Sequence, residues 1–172
     1  MSNIYTHFCE TLRVRSREEQ DWVVSLCKAL NEEEEPAETV VAEGEAEPVH
    51  NVARRISKST GIGWPCPINA EPGVHEAMSE VTKDQLVVTL WDDGGCGDPL
   101  VAGLVVQEYF RRFELRDKRF VIQYAETCDS HRPGSFSGGV VAVTHQYADM
   151  ITSGHLAQYF LDTGAFPDLN DE

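Results

Sequence analysis

Between Arg17 and Leu30 the apolar residues Trp22, Val23, Leu26, Cys27 and Leu30 fall at i, i+1, i+4, i+5 and i+8, which is one stripe of a helix. Ser16 followed by Glu19 is a capping box that starts this helix. The preceding stretch, "NIYTHFCETLRV", satisfies both periods: Phe8, Glu10, Leu12 and Val14 alternate like a strand, while Tyr5, Phe8, Cys9 and Leu12 repeat like a helix. We read it as a strand.

Later in the chain the rhythm sharpens. Leu86 to Trp91 reads as a strand, and Asp98-Pro99 supplies an N-cap with proline at the first helical position. The helix that follows runs to about Phe113, with Ala102, Val105, Val106, Tyr109, Phe110 and Phe113 facing a core. Gly103 weakens it by about 1 kcal/mol unless close packing needs the missing side chain. "RFVIQYAET" alternates Phe120, Ile122 and Tyr124 against Val121, Gln123 and Ala125, and Val140 to Val143 is a fully apolar strand. Thr144 reads as the cap of a last helical region carrying Tyr147, Ile151, Leu156, Tyr159 and Phe160, stopped by Gly164 and Pro167. Residues 49–80 contain "GIGWPCPINAEPG", whose three prolines and three glycines predict a short edge strand or a folded-back loop.

Helices and strands therefore mix without strict β-α-β repetition. The expected fold is α+β: a single-domain sandwich over residues 1–172, with a mostly antiparallel sheet of about four to five strands and helices on one face.

Charge changes this picture at one place. The chain has 172 residues and a formal charge of −15, and Asn31 to Pro48 holds eight glutamates and no lysine or arginine, so it carries −8 of that total. Such a stretch, with Pro36, Gly44 and Pro48, buries too little to offset its ordering entropy and reads as a flexible acidic loop at 31–48. The overall charge opposes nucleic acid or an anionic membrane as ligand and leaves a basic protein partner open. The opening residues lack the layout of a secretory signal, and "LVAGLVV" is the longest apolar run. Five cysteines without a C-x-x-C pair suit reduced thiols in a cytoplasm rather than a disulfide framework.

Candidate chemistry gathers in two loops. "WDDGGCGDP" follows a strand and precedes a helix, where phosphate loops lie, but Asp92, Asp93 and Asp98 repel phosphate and Pro99 removes an amide donor. The bland reading is a turn and a capped helix, with Asp92 and Asp93 as binding residues at its surface. "TCDSHRPGSFSGG" offers Cys128 and His131 as a nucleophile pair, or, with Cys96 and His145, as zinc ligands. Its structural reading is a hairpin in which Pro133-Gly134 turns the chain, Phe136 anchors it, Gly138-Gly139 relieves crowding and Arg132 clamps a carboxylate such as Glu126.

Thr127-Cys128, Arg132-Pro133-Gly134, Phe136 and Gly138-Gly139, followed by an apolar strand and Thr144, resemble the closing segment of an uncharacterised family of small bacterial, phage and plasmid proteins. Glu19, Trp22, Trp91 and "VQEYFRRF" extend the resemblance. It implies a small α+β domain associated with mobile elements, and it carries no activity to transfer. The leading expectation is a non-enzymatic interaction or regulatory protein without a cofactor, meeting its partner through Arg132, Phe136, Asp92, Asp93 and the acidic loop. The alternative is a small enzyme or metal-binding protein using Cys128 and His131.

Overall fold

The computed structural model describes residues 4–42, 44–75, 85–93, 97–128 and 137–155. Six antiparallel strands among them form one sheet: β1 (Ile4–Arg13), β2 (Asn69–His75), β3 (Gln85–Asp93), β4 (Arg119–Cys128), β5 (Ser137–Thr144) and β6 (Ala148–Thr152). Their order across the sheet is β2-β3-β1-β4-β5-β6, so the first strand of the chain lies near the middle. Three helices lie wholly within the described residues, α1 (Arg17–Leu30), α2 (Val49–Thr60) and α3 (Pro99–Arg112), residues 153–155 are also helical, and together they complete the α+β fold. No helix among the described residues is long and apolar enough to cross a membrane.

Helices α1 and α3 begin where their sequences direct. Ser16 Oγ accepts from the Glu19 amide at 3.2 Å, and Asp98 accepts from the Leu100 amide at 2.7 Å ahead of Pro99. The apolar faces then meet the sheet: Val23, Leu26 and Leu30 of α1 and Val101, Val105 and Val106 of α3 are buried with Leu12, Val88, Leu90, Ile122 and Val141. Alternate strand residues supply that inner layer. Gly103 is where α3 comes closest, since a Cβ there would lie 2.6 Å from Val141 Cγ1. Gly139 serves the same purpose inside the sheet, where a Cβ would collide with the Ile151 carbonyl of β6.

Two polar side chains fasten the edges. Gln20 is fully buried and donates from Nε2 to the carbonyls of Gly73 (2.9 Å) and Val87 (2.7 Å), clipping α1 to β2 and β3. Asn31 pairs with both backbone groups of Ile68, at 3.0 and 2.8 Å, as a strand would. The residues leading into β2 are thereby tied to the end of α1.

Two features differ from the sequence reading. Residues 49–60, to which the sequence pattern assigns no element, form α2, which buries Val52, Ala53 and Ile56 and ends on Gly61 in the left-handed region (φ 67°); the proline- and glycine-rich stretch after it contributes β2, an edge strand as one of its two readings has it. Val49, Val52, Ala53 and Ile56 do fall at i, i+3, i+4 and i+7, but the prolines and glycines farther along dominate the window. Ala148–Thr152, expected to be helical, is instead the edge strand β6, paired with β5 from Val143↔Ala148 to Gly139↔Thr152, while residues 153–155 are helical and Leu156, Tyr159 and Phe160 lie outside the described residues. Thr144 accepts from the amides of Gln146 and Tyr147 as a cap would, yet here it closes the β5–β6 hairpin. The described residues of the acidic stretch are largely exposed, and Asn51, Arg54 and Arg55 of α2 make contacts with it.

The sheet also opens between two neighbours. β1 and β4 pair from Ile4↔Cys128 to His7↔Ala125 and no farther. Beyond that point the Gln123 amide donates to Glu10 Oε1 at 3.1 Å, so a side chain fills a ladder position and the strands diverge into a cleft.

Candidate functional site

The residues singled out by sequence divide between the two ends of the sheet. At one end, β3 delivers Asp92 beneath the start of α3: its carboxylate is 6% exposed, and a Cβ on Gly97 would lie 2.7 Å from its own Cβ. Its Oδ2 is buried without a hydrogen-bond partner among the described residues, as is the hydroxyl of Tyr124 on β4. Burial pushes the Tyr124 hydroxyl above its ordinary range, and the charges of Glu126 and Asp98 push the same way. Ser137 donates to Glu126 beside them. This end of the sheet therefore gathers the carboxylates of Asp92, Asp98 and Glu126 and the hydroxyls of Tyr124 and Ser137, with Asp92 and Tyr124 buried.

Asp93 and Cys128 are strand residues on either side of β1, opposite His7 and Ile4 respectively. Two strand spacings, about 10 Å, separate them across the sheet, so they do not form one compact site. His145 is placed at the other end: β5 runs antiparallel to β4 with Arg119 opposite Thr144, so nearly the whole length of β4, roughly 30 Å, lies between His145 and Cys128. That register keeps His145 out of any ion site that includes Cys128. Cys96, His131, Arg132 and Phe136 lie outside the described residues. Among the described residues no cluster of three histidines, cysteines or carboxylates is placed to hold a metal ion.

The acidic segment has geometry that its composition conceals. Arg54 of α2 donates to Glu35 at 2.8 Å and to Glu38 at 3.2 Å, and Arg55 binds Glu47 at 2.6 Å. The Glu35 hydrogen bond is the largest influence holding the Arg54 guanidinium above its ordinary value. Asn51 grips Thr39 through its amide (3.0 Å) and carbonyl (2.7 Å), and His50 reaches the Thr39 hydroxyl at 2.7 Å. At the near end Trp64 Nε1 donates to the Glu32 carbonyl at 2.9 Å. Surface ion pairs taken singly contribute little. Acting together at residues 32, 35, 38, 39 and 47, however, these contacts tether the segment to α2 and Trp64.

Three glutamates thus have cationic partners on α2, while Glu32, Glu33, Glu34 and Glu45 are exposed and make no ion pair among the described residues. Arg55 reaches inward as well, to Glu108 of α3 at 2.6 Å, and Arg111 binds the same carboxylate at 2.9 Å. Arg111 continues to the carbonyls of His145 and Gln146, both at 3.1 Å, so the support for the acidic segment is anchored in α3 and the β5–β6 hairpin.

Sequence reading missed Asn51, Arg54 and Arg55 as the residues that hold this surface. The adjacent arginines that follow eight glutamates were the available signal, and it is usable once residues 49–60 are read as a helix. Comparisons with protein-family models, with curated proteins and with solved structures return no match.

Proposed function

We propose that this protein is a non-enzymatic interaction protein that recognises a basic protein partner through the acidic segment held on α2. The observation that carries the reading is the division of labour among the glutamates: Glu35, Glu38 and Glu47 are spent on holding the segment, and Glu32, Glu33, Glu34 and Glu45 face solvent. A segment ordered before binding loses less conformational freedom when a partner docks, so its charges contribute more of their attraction to affinity. Complementary charge also steers encounter.

A reducing compartment such as the cytoplasm suits the free thiols of Cys9, Cys27 and Cys66. The test is anisotropy of a labelled oligolysine peptide titrated with protein. Neutralising Glu33, Glu34 and Glu45 to glutamine should weaken binding roughly tenfold, while Asp21→Asn with Asp117→Asn and Asp149→Asn, which removes the same charge elsewhere, should have little effect. Equal weakening by both triple variants would reduce the reading to bulk charge.

A further inference from the structure

We infer that the cleft between β1 and β4 is a binding site for a small organic anion with an apolar body. The cleft exists because the β1–β4 ladder stops at His7↔Ala125, and it encloses about 380 Å³. That volume falls in the range of small-molecule sites. Leu115 and Phe120 contribute apolar wall, and Arg13, Arg15, Lys118 and Arg119 stand around it.

The charge there runs against the rest of the molecule. Lysine and arginine number 14 against 29 acidic residues, yet four of the 14 line this one cleft and no aspartate or glutamate does. Elsewhere Arg54, Arg55, Arg111 and Arg116 are ion-paired, while Arg17, Lys28, Lys58 and Arg112 make no ion pair among the described residues and do not gather around one cleft as Arg13, Arg15, Lys118 and Arg119 do. Arg13, Lys118 and Arg119 make no ion pair among the described residues, and Arg15 is held in position by Glu19 at 2.5 Å. Glu114, in the neighbouring turn, is engaged by Arg116.

Like charges gathered around one depression repel one another, and an anion seated among them relieves that repulsion while gaining charge-assisted hydrogen bonds. The apolar wall then selects a ligand with a hydrophobic body over a bare inorganic ion. A small ligand also feels chiefly the local field, whereas an extended polyanion would meet the acidic remainder of the surface. The ligand class is therefore a phosphate, sulfonate or carboxylate head on an apolar frame. The cleft shares no residue with the acidic segment on α2.

The test is a fluorescence titration with 8-anilinonaphthalene-1-sulfonate, an amphipathic sulfonate. Saturable binding is expected, weakened roughly tenfold or more in the Arg13→Gln/Arg119→Gln double variant and unchanged in Arg112→Gln, which lies outside the cleft. Both substituted side chains in the double variant are exposed, so its unfolding midpoint should match the wild type and separate lost binding from lost folding. The uncharged analogue N-phenyl-1-naphthylamine should bind far more weakly than the sulfonate. Absence of saturable binding, equal binding by the double variant, or equal binding of the uncharged dye would overturn the inference. Displacement of the dye by a single-stranded oligonucleotide more tightly than by phenyl phosphate would replace it with nucleic-acid binding.

Discussion

Tyr109 of α3 donates its hydroxyl to Glu19 Oε2 of α1 at 2.7 Å, in a site where Glu19 is 3% exposed. The same carboxylate accepts from the Arg15 amide at 2.7 Å and from Arg15 Nε at 2.6 Å, so the capping-box glutamate has become the junction of α1, α3 and the end of β1. Burial alone would raise its pKa, but hydrogen bonds from the Arg15 side chain and backbone and from Tyr109 outweigh burial and hold it below 4.5. A depressed folded-state pKa adds stability above the unfolded value and loses it as pH falls through the folded one. Glu19→Gln should therefore be less stable than wild type at neutral pH, with the gap closing below about pH 4.5. Tyr109→Phe should cost about 1.5–3 kcal/mol, the usual range for a hydrogen bond to a charged group. Urea unfolding across pH measures both, and a gap independent of pH would contradict the assignment.

Gly103→Ala tests the close approach of α3 to the sheet. Alanine favours helix by about 1 kcal/mol, yet its Cβ would press on Val141 Cγ1, and overpacking typically costs about 1–3 kcal/mol. Net destabilisation is expected, with recovery when Val141→Ala is added. A stabilised single variant would show that the helix shifts freely.

Gly103 also marks how far the sequence could be read. Its alternative, a tolerated weak point or a packing contact, was visible beforehand, as were α1 and α3, because caps and apolar stripes coincide in both. Helix α2 was hidden because its apolar face is narrow and it lies between an acidic run and a cluster of proline and glycine. For β6, the spacing of Tyr147 and Ile151 fits a helix locally, and only pairing with the edge of β5 makes it a strand. Cys128 and His145 could look convergent because both stand near strand ends, and which end of the sheet each occupies is a property of the register. Arg54 and Arg55 became legible as site residues only with α2 in place.

Cysteine reactivity offers a chemical check on the core. Burial pushes the Cys27 thiol up to about 12, and Cys66 is buried with its Sγ against the Gly63 carbonyl at 2.7 Å, whereas Cys9 is exposed. In a Cys96→Ser/Cys128→Ser background, a disulfide reagent at neutral pH should modify Cys9 promptly and reach Cys27 and Cys66 only on unfolding. Prompt modification of Cys27 in the native state would mean that the seam between α1 and the sheet opens.

The central claim, that the acidic segment acts as a surface prepared by α2, is tested most directly by loosening it without removing its charge. Asn51→Ala/Arg54→Gln takes away the grip on Thr39, Glu35 and Glu38 and makes the protein more negative by one charge. Affinity for the labelled oligolysine peptide is the quantity to measure, with thermal unfolding to establish that the fold persists. Attraction by charge alone would make binding tighter in this variant. The prepared surface predicts binding weaker by about tenfold, from the ordering that the partner must then impose. Affinity equal to or greater than that of the wild type would contradict the account.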